Sequence, residues 1–156
     1  MPTQLTIATL AQARAAEGTP LGPTSPLIVT QRMIDQFADV TADHQWIHTD
    51  PERAAASPFG STIAHGYLTL SLVPQFLDAL IVRAPHVTSI NYGLNSVRFP
   101  APVPVNTALA MSATIQKVQP RGDDSARLEI QCTLSQPGHE RPACVATIVL
   151  LYAGLH

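Results

Sequence analysis

The chain has 156 residues, enough for one domain with a sizeable apolar core. Nine Lys and Arg against eleven Asp and Glu give a net charge of -2, and no basic run marks a nucleic-acid or anionic-membrane partner. Charged residues are 13% of the chain and Lys117 is the only lysine, a surface so sparsely charged that another subunit is expected to cover part of it.

The opening stretch, Met1 to Gly18, mixes Thr, Gln, Arg and Glu with alanines and reads as no basic-then-apolar leader, which points to a soluble cytoplasmic protein. Within it, Leu5 to Glu17 carries apolar residues at helical spacing and predicts a short helix, broken by Gly18, Pro20, Gly22 and Pro23. Leu27 to Val29 reads as a short strand. Thr30 then caps a helix whose apolar positions are Met33, Ile34, Phe37, Ala38 and Val40. That helix stops before Asp43. Glu52 to Ala56 predicts a helical turn, followed by the irregular Ser57-Pro58-Phe59-Gly60.

The apolar stretch Ile63 to Val82 contains His65, Pro74, Gln75 and Asp78, so it predicts a buried helix and not a membrane span. From Gly66 to about Arg83 nearly every face of that helix is apolar, and such a helix must be enclosed. Pro74 is expected to kink it. Four strands follow, over Val87 to Phe99, Thr107 to Val118, Ala126 to Ser135 and Ala143 to Tyr152. Together they imply a single α+β domain spanning residues 1–156, an antiparallel sheet wrapped around a central apolar helix. Cys132 and Cys144 fall in strands and read as reduced core thiols.

The chemistry is concentrated in Asp43-His44-Gln45-Trp46-Ile47-His48. A carboxylate and an imidazole five positions apart lie on different faces of a regular helix, so they converge only if the backbone turns there. A pair of this kind meeting on one water is a general acid/base site. Gly66, opening the apolar helix, offers unpaired N–H groups to a carbonyl oxygen that gains negative charge. His44 and His48 at i, i+4, with His65, invite a zinc reading, but the Glu of a zinc-protease motif is missing and the segment is not expected to be helical; no metal is expected. No Gly-x-Ser-x-Gly occurs, which argues against a serine hydrolase. The strand bearing Tyr92, Asn95 and Arg98 has two readings, a strand with one solvated face or the lining of a substrate channel or subunit interface.

These residues carry a family resemblance. Phe37 to His48, Ile63-Ala64-His65-Gly66-Tyr67-Leu68 and Tyr92-Gly93-Leu94-Asn95-Ser96-Val97-Arg98-Phe99 resemble the MaoC-like (R)-specific enoyl-CoA hydratases, most of all the nodulation-protein-N-like branch. The likeness covers nearly the whole chain and keeps the order of the motifs. It implies a hot-dog fold, a homodimer, trans-2-enoyl thioester substrates and no cofactor beyond the coenzyme A of the substrate. It fits catalytic roles for Asp43, His48 and the Gly66 N–H; Gln45, Trp46, His65, Tyr92, Asn95 and Arg98 are the substrate-binding candidates, with His65, next to Gly66, also read as a supporting or structural residue. The family segment commonly reads Gly-Asp-x-Asn-Pro-(Ile/Leu)-His; here Ala42, Gln45 and Trp46 replace Gly, Asn and Pro. Which of Asp43 and His48 removes the water proton is left open by the sequence. Two other functions use the same fold: an acyl-CoA thioesterase, and a non-catalytic subunit that binds acyl thioesters.

Overall fold

The computed structural model describes residues 4–156. The first three residues of the Met1 to Gly18 stretch lie outside the described residues. The chain begins with β1 (Leu5–Ile7) and α1 (Leu10–Ala15), where one helix over Leu5 to Glu17 was expected. Thr9 and Gln12 form a reciprocal capping box that sets the helix start at Leu10, past the β-forming Leu5-Thr6-Ile7. Two short strands, β2 (Pro20–Leu21) and β3 (Leu27–Val29), lead to α2 (Gln31–Thr41). The Thr30 hydroxyl accepts the Met33 N–H at the start of α2, and Ala42 ends it in the left-handed conformation, φ 58°. Then come α3 (Trp46–Thr49) and α4 (Pro51–Ala55).

The central helix is two helices. α5 (Gly66–Ser71) and α6 (Val73–Leu80) meet at Leu72, and Pro74 stands in the first turn of α6, where its missing N–H is not needed. The expected continuation to Arg83 is instead β4 (Ile81–Arg83), which pairs in parallel with β1. Leu68, Leu72, Val73, Phe76, Leu77 and Leu80 are buried, but Tyr67, Ser71, Pro74, Gln75, Asp78 and Ala79 are exposed. The helix is therefore enclosed on one side only.

The remaining strands are β5 (Thr88–Arg98), β6 (Thr107–Pro120), β7 (Ser125–Ser135) and β8 (Cys144–Ala153). They form an antiparallel sheet in the order β2-β6-β7-β8-β5, with β3 also on β6. Leu128, Ile130, Cys132 and Leu134 alternate inward on β7, as their period of two requires, and meet Met111 and Ile115 of β6 and the buried faces of α5 and α6. Both cysteines are free and buried, and burial pushes the thiols up to about 12 for Cys132 and about 11 for Cys144. No helix among the described residues is long and apolar enough to cross a membrane.

Candidate active site

The left-handed turn at Ala42 swings Asp43 out of the α2 axis, and α3 then brings His48 back beside it. His48 thus lies on one helical turn, where irregular backbone was expected. The ligating atoms of Asp43, His48 and His65 all fall within 4.8 Å of one another. Asp43 is exposed, His48 is 6% exposed and His65 is 3% exposed, so a solvated carboxylate borders two buried imidazoles.

His48 Nδ1–H donates to the Ile63 carbonyl at 2.7 Å, which leaves Nε2 as the unprotonated nitrogen. Burial holds the His48 pKa below its ordinary value, reinforced by the neighbouring His65 and opposed by the bond to Ile63 and by the Asp43 charge. Gln31 supports the segment from α2: its Nε2 donates to the His48 carbonyl at 2.8 Å and its Oε1 accepts from the Thr62 hydroxyl. Ile63 N–H donates to the Ile47 carbonyl at 3.0 Å, Ala64 N–H to Val103 at 2.8 Å, and Val105 N–H to Thr62 at 2.9 Å. The turn before α5 is therefore tied to both the His48 segment and the chain leading into β6.

A cavity of about 360 Å³ opens on this corner, lined by His48, Gly66, Thr69, Phe59, Phe99 and Val103 among others. Apart from the His48 ring, Thr69 and the backbone at Gly66, the wall is mostly apolar, suited to an acyl group more than to a sugar or a nucleotide. The Gly66 N–H opens α5 and donates to no backbone carbonyl among the described residues. A Cβ at Gly66 would meet the Phe99 ring at 3.1 Å, so glycine is what lets the aromatic wall close against the helix start. Because α5 has six residues, its dipole supplies less than the long helix expected from sequence, and the directed N–H becomes the main attraction at that point.

Stacked imidazoles bear on the metal question. The His48 and His65 rings lie 3.8 Å apart at 25°, so their in-plane lone pairs run side by side. Zinc ligation needs nitrogens converging on one point at about 2.0–2.1 Å. The cluster does not fit a divalent ion held by both rings.

Asp43, His48, His65 and Gly66 are thus brought together. Gln45 and Trp46 flank them on the same segment: the Gln45 N–H approaches Asp43 Oδ1 at 3.4 Å, and the Trp46 ring is covered by the Arg53 guanidinium at 4.4 Å and does not line the cavity. Tyr92, Asn95 and Arg98 are exposed on β5 and line no part of this cavity. Tyr92 lines a second, larger cavity of about 480 Å³ between α6 and β5, and the Arg98 guanidinium folds onto the Val97 carbonyl. Gln31, Thr62, Phe59 and Phe99 were not legible as site residues, because their roles depend on contacts made far along the chain.

An antiparallel sheet laid against a central helix is the hot-dog arrangement, and Asp43, His48 and His65 cluster near the start of that helix. Residues 12–134 match the MaoC like domain. The chain is 42% identical over 147 residues to 3-hydroxyacyl-thioester dehydratase Z of Mycobacterium tuberculosis, covering 94% of this chain and 97% of that protein. It is 38% identical over 144 residues to nodulation protein N of Rhizobium leguminosarum bv. viciae, covering 91% and 89%. The structure of the R-hydratase PhaJ1 from Pseudomonas aeruginosa superimposes with a TM-score of 0.71 at 19% identity, covering 96% and 87%, a likeness of fold. This chain belongs to the MaoC-like dehydratase family and is a hydro-lyase.

Proposed function

We propose that the protein is an (R)-specific enoyl-CoA hydratase, adding water to trans-2-enoyl thioesters to give (R)-3-hydroxyacyl-CoA in acyl-chain metabolism. The observation that carries this reading is the His48 imidazole, its charged form disfavoured by burial and its Nδ1 proton committed to Ile63, with a ring nitrogen within 4.8 Å of an Asp43 carboxylate oxygen. His48 Nε2 removes a proton from a water that Asp43 helps to hold, and the water oxygen bonds to C3. The electron pair of the double bond moves onto the thioester, where the Gly66 N–H stabilises the enolate oxygen. C2 then takes up the proton that the pair received, so one water is added across the bond. Run backwards, the same groups dehydrate the 3-hydroxy thioester. No metal or redox cofactor enters these steps.

Thioester hydrolysis needs water aimed at the carbonyl carbon; a proton acceptor placed beside a second acid/base group suits addition at C3 better. The rival of a non-catalytic binding subunit is disfavoured by the intact pair. Two free, buried cysteines suit the reducing cytoplasm.

The working unit is proposed to be a homodimer. β5 is an eleven-residue edge strand whose Ile90, Tyr92 and Leu94 are exposed, and the uncovered side of α5 and α6 lies beside it. An antiparallel edge pairs with its own copy about a two-fold axis, which would also cover Tyr67, 72% exposed. Leu94→Lys would then give monomers in light-scattering measurements; a wild-type monomer refutes the dimer.

The reading is tested with a panel of trans-2-enoyl-CoA substrates. Loss of the conjugated enoyl absorbance with an (R)-3-hydroxyacyl product supports it, whereas an (S) product, or release of free coenzyme A from a saturated acyl-CoA, refutes it.

A further inference from the structure

Within residues 63–66, Ile63 and His65 hold the two members of the acid/base pair from one side. Ile63 supplies the carbonyl that orients His48, Gly66 supplies the N–H, and between them His65 donates its Nε2–H to the Asp43 carbonyl, 22 residues earlier, at 3.0 Å. Ile63 and Ala64 are fixed in turn by their backbone bonds to the Ile47 and Val103 carbonyls. In this bracket His65 is the residue whose side chain touches both proton-handling segments. One face of its ring stacks on His48, and Phe37 lies against the ring at 5.0 Å between centroids, tilted by 54°.

Packing alone does not account for an imidazole here. Donation to a carbonyl requires the proton on Nε2, which leaves Nδ1 a bare lone pair, and that atom is buried with no hydrogen-bond partner among the described residues. An aromatic carbon ring would fill the same space without orphaning a polar atom, a saving in desolvation. What the imidazole adds is the Nε2–H. Asp43 has need of it, being exposed directly after the left-handed Ala42 and making, by its own carboxylate, only the long 3.4 Å contact with Gln45 among the described residues.

We propose that His65 is a positioning residue for the acid/base pair: by holding the Asp43 carbonyl while its ring backs His48, it fixes the distance between the carboxylate and Nε2. The inference rests on the hydratase reading for its kinetic consequence, but not for its structural one.

The test compares His65→Gln, whose amide can donate to the same carbonyl, with His65→Phe, which keeps an aromatic ring and loses the donor. With crotonyl-CoA, His65→Phe is expected to lower kcat by about 100-fold, the cost of a misplaced catalytic group, with KM within about threefold, while His65→Gln restores most of the loss. Hydrogen exchange followed by mass spectrometry reads the same role without turnover: amides in the segment 43–48 should exchange faster in His65→Phe than in wild type and His65→Gln. Wild-type kcat and exchange in a folded His65→Phe, or equal losses in both variants, overturn the proposal. A wild-type protein that hydrates no enoyl thioester refutes the function proposed above, and the exchange comparison still decides the role of His65.

Discussion

Two cavities among the described residues differ in size and in chemistry, and the smaller one is the candidate site. The larger, about 480 Å³, lies between α6 and β5 and is lined by Leu70, Pro74, Leu77, Tyr92 and Ile148, with the Asp78–Arg83 ion pair at 2.7 Å among its walls. Its charges are matched to each other, and none of the acid/base groups reaches it. The smaller, about 360 Å³, holds a buried imidazole with a free nitrogen, a backbone N–H without a carbonyl partner and a wall that closes only because residue 66 is glycine. Volume locates empty space. Unsatisfied, preoriented polar groups in an apolar wall locate chemistry.

This contrast is most easily broken at His48. His48→Gln and Asp43→Asn should each lower hydration of crotonyl-CoA by about 100- to 10,000-fold while the circular-dichroism spectrum stays native. Near wild-type turnover in both would remove the smaller cavity from the account. Gly66→Ala comes next: the added methyl drives into Phe99, and kcat/KM should drop by about 10- to 100-fold, with Phe99→Ala in the same chain recovering part of it. A loss that Phe99→Ala leaves unchanged would mean the ring is not what the methyl disturbs.

The larger cavity should answer differently. Leu77 is 4% exposed there, so Leu77→Ala should cost about 2–5 kcal/mol of stability in urea unfolding, yet leave kcat of the folded fraction near wild type. A kcat loss to rival His48→Gln would merge the two regions.

Protonation gives a smaller, graded effect. The folded state keeps His48 neutral below its ordinary 6.5, so as pH falls the unfolded chain takes up that proton first. Stability from neutral His48 is full above 6.5 and is lost between 6.5 and the lower folded value. The acid limb of kcat/KM should accordingly fall below 6.5; a limb above 6.5 would show that the imidazole is not held neutral. Smallest of all, Ala42→Gly relieves a left-handed residue and should stabilise the chain by about 1 kcal/mol at most, read as a rise in the urea midpoint with activity unchanged.

Much of this was legible in the sequence where physics is local. The four long strands fall within a few residues of their expected bounds, because alternating side chains and Pro or Gly turns mark them directly. The turn after α2 followed from the need to bring Asp43 and His48 together. The pairing of Leu5–Ile7 with Ile81–Arg83 was not legible: three residues carry too little pattern, and their partner lies over seventy positions away. The break at Leu72 was foreshadowed by Pro74, but its consequence, a short α5 with a weaker dipole, was not. Nor does any local pattern show that His65 reaches the Asp43 carbonyl or that Phe99 closes on Gly66, since each contact spans more than twenty residues.

His48, beside Asp43, is proposed to activate the water that adds to C3. The most direct test of this role is crotonyl-CoA hydration by wild type and His48→Gln with chiral analysis of the product. The wild type should give (R)-3-hydroxybutyryl-CoA, and the variant should lose at least about 100-fold in rate. A folded His48→Gln protein that makes the same product at the wild-type rate would contradict it.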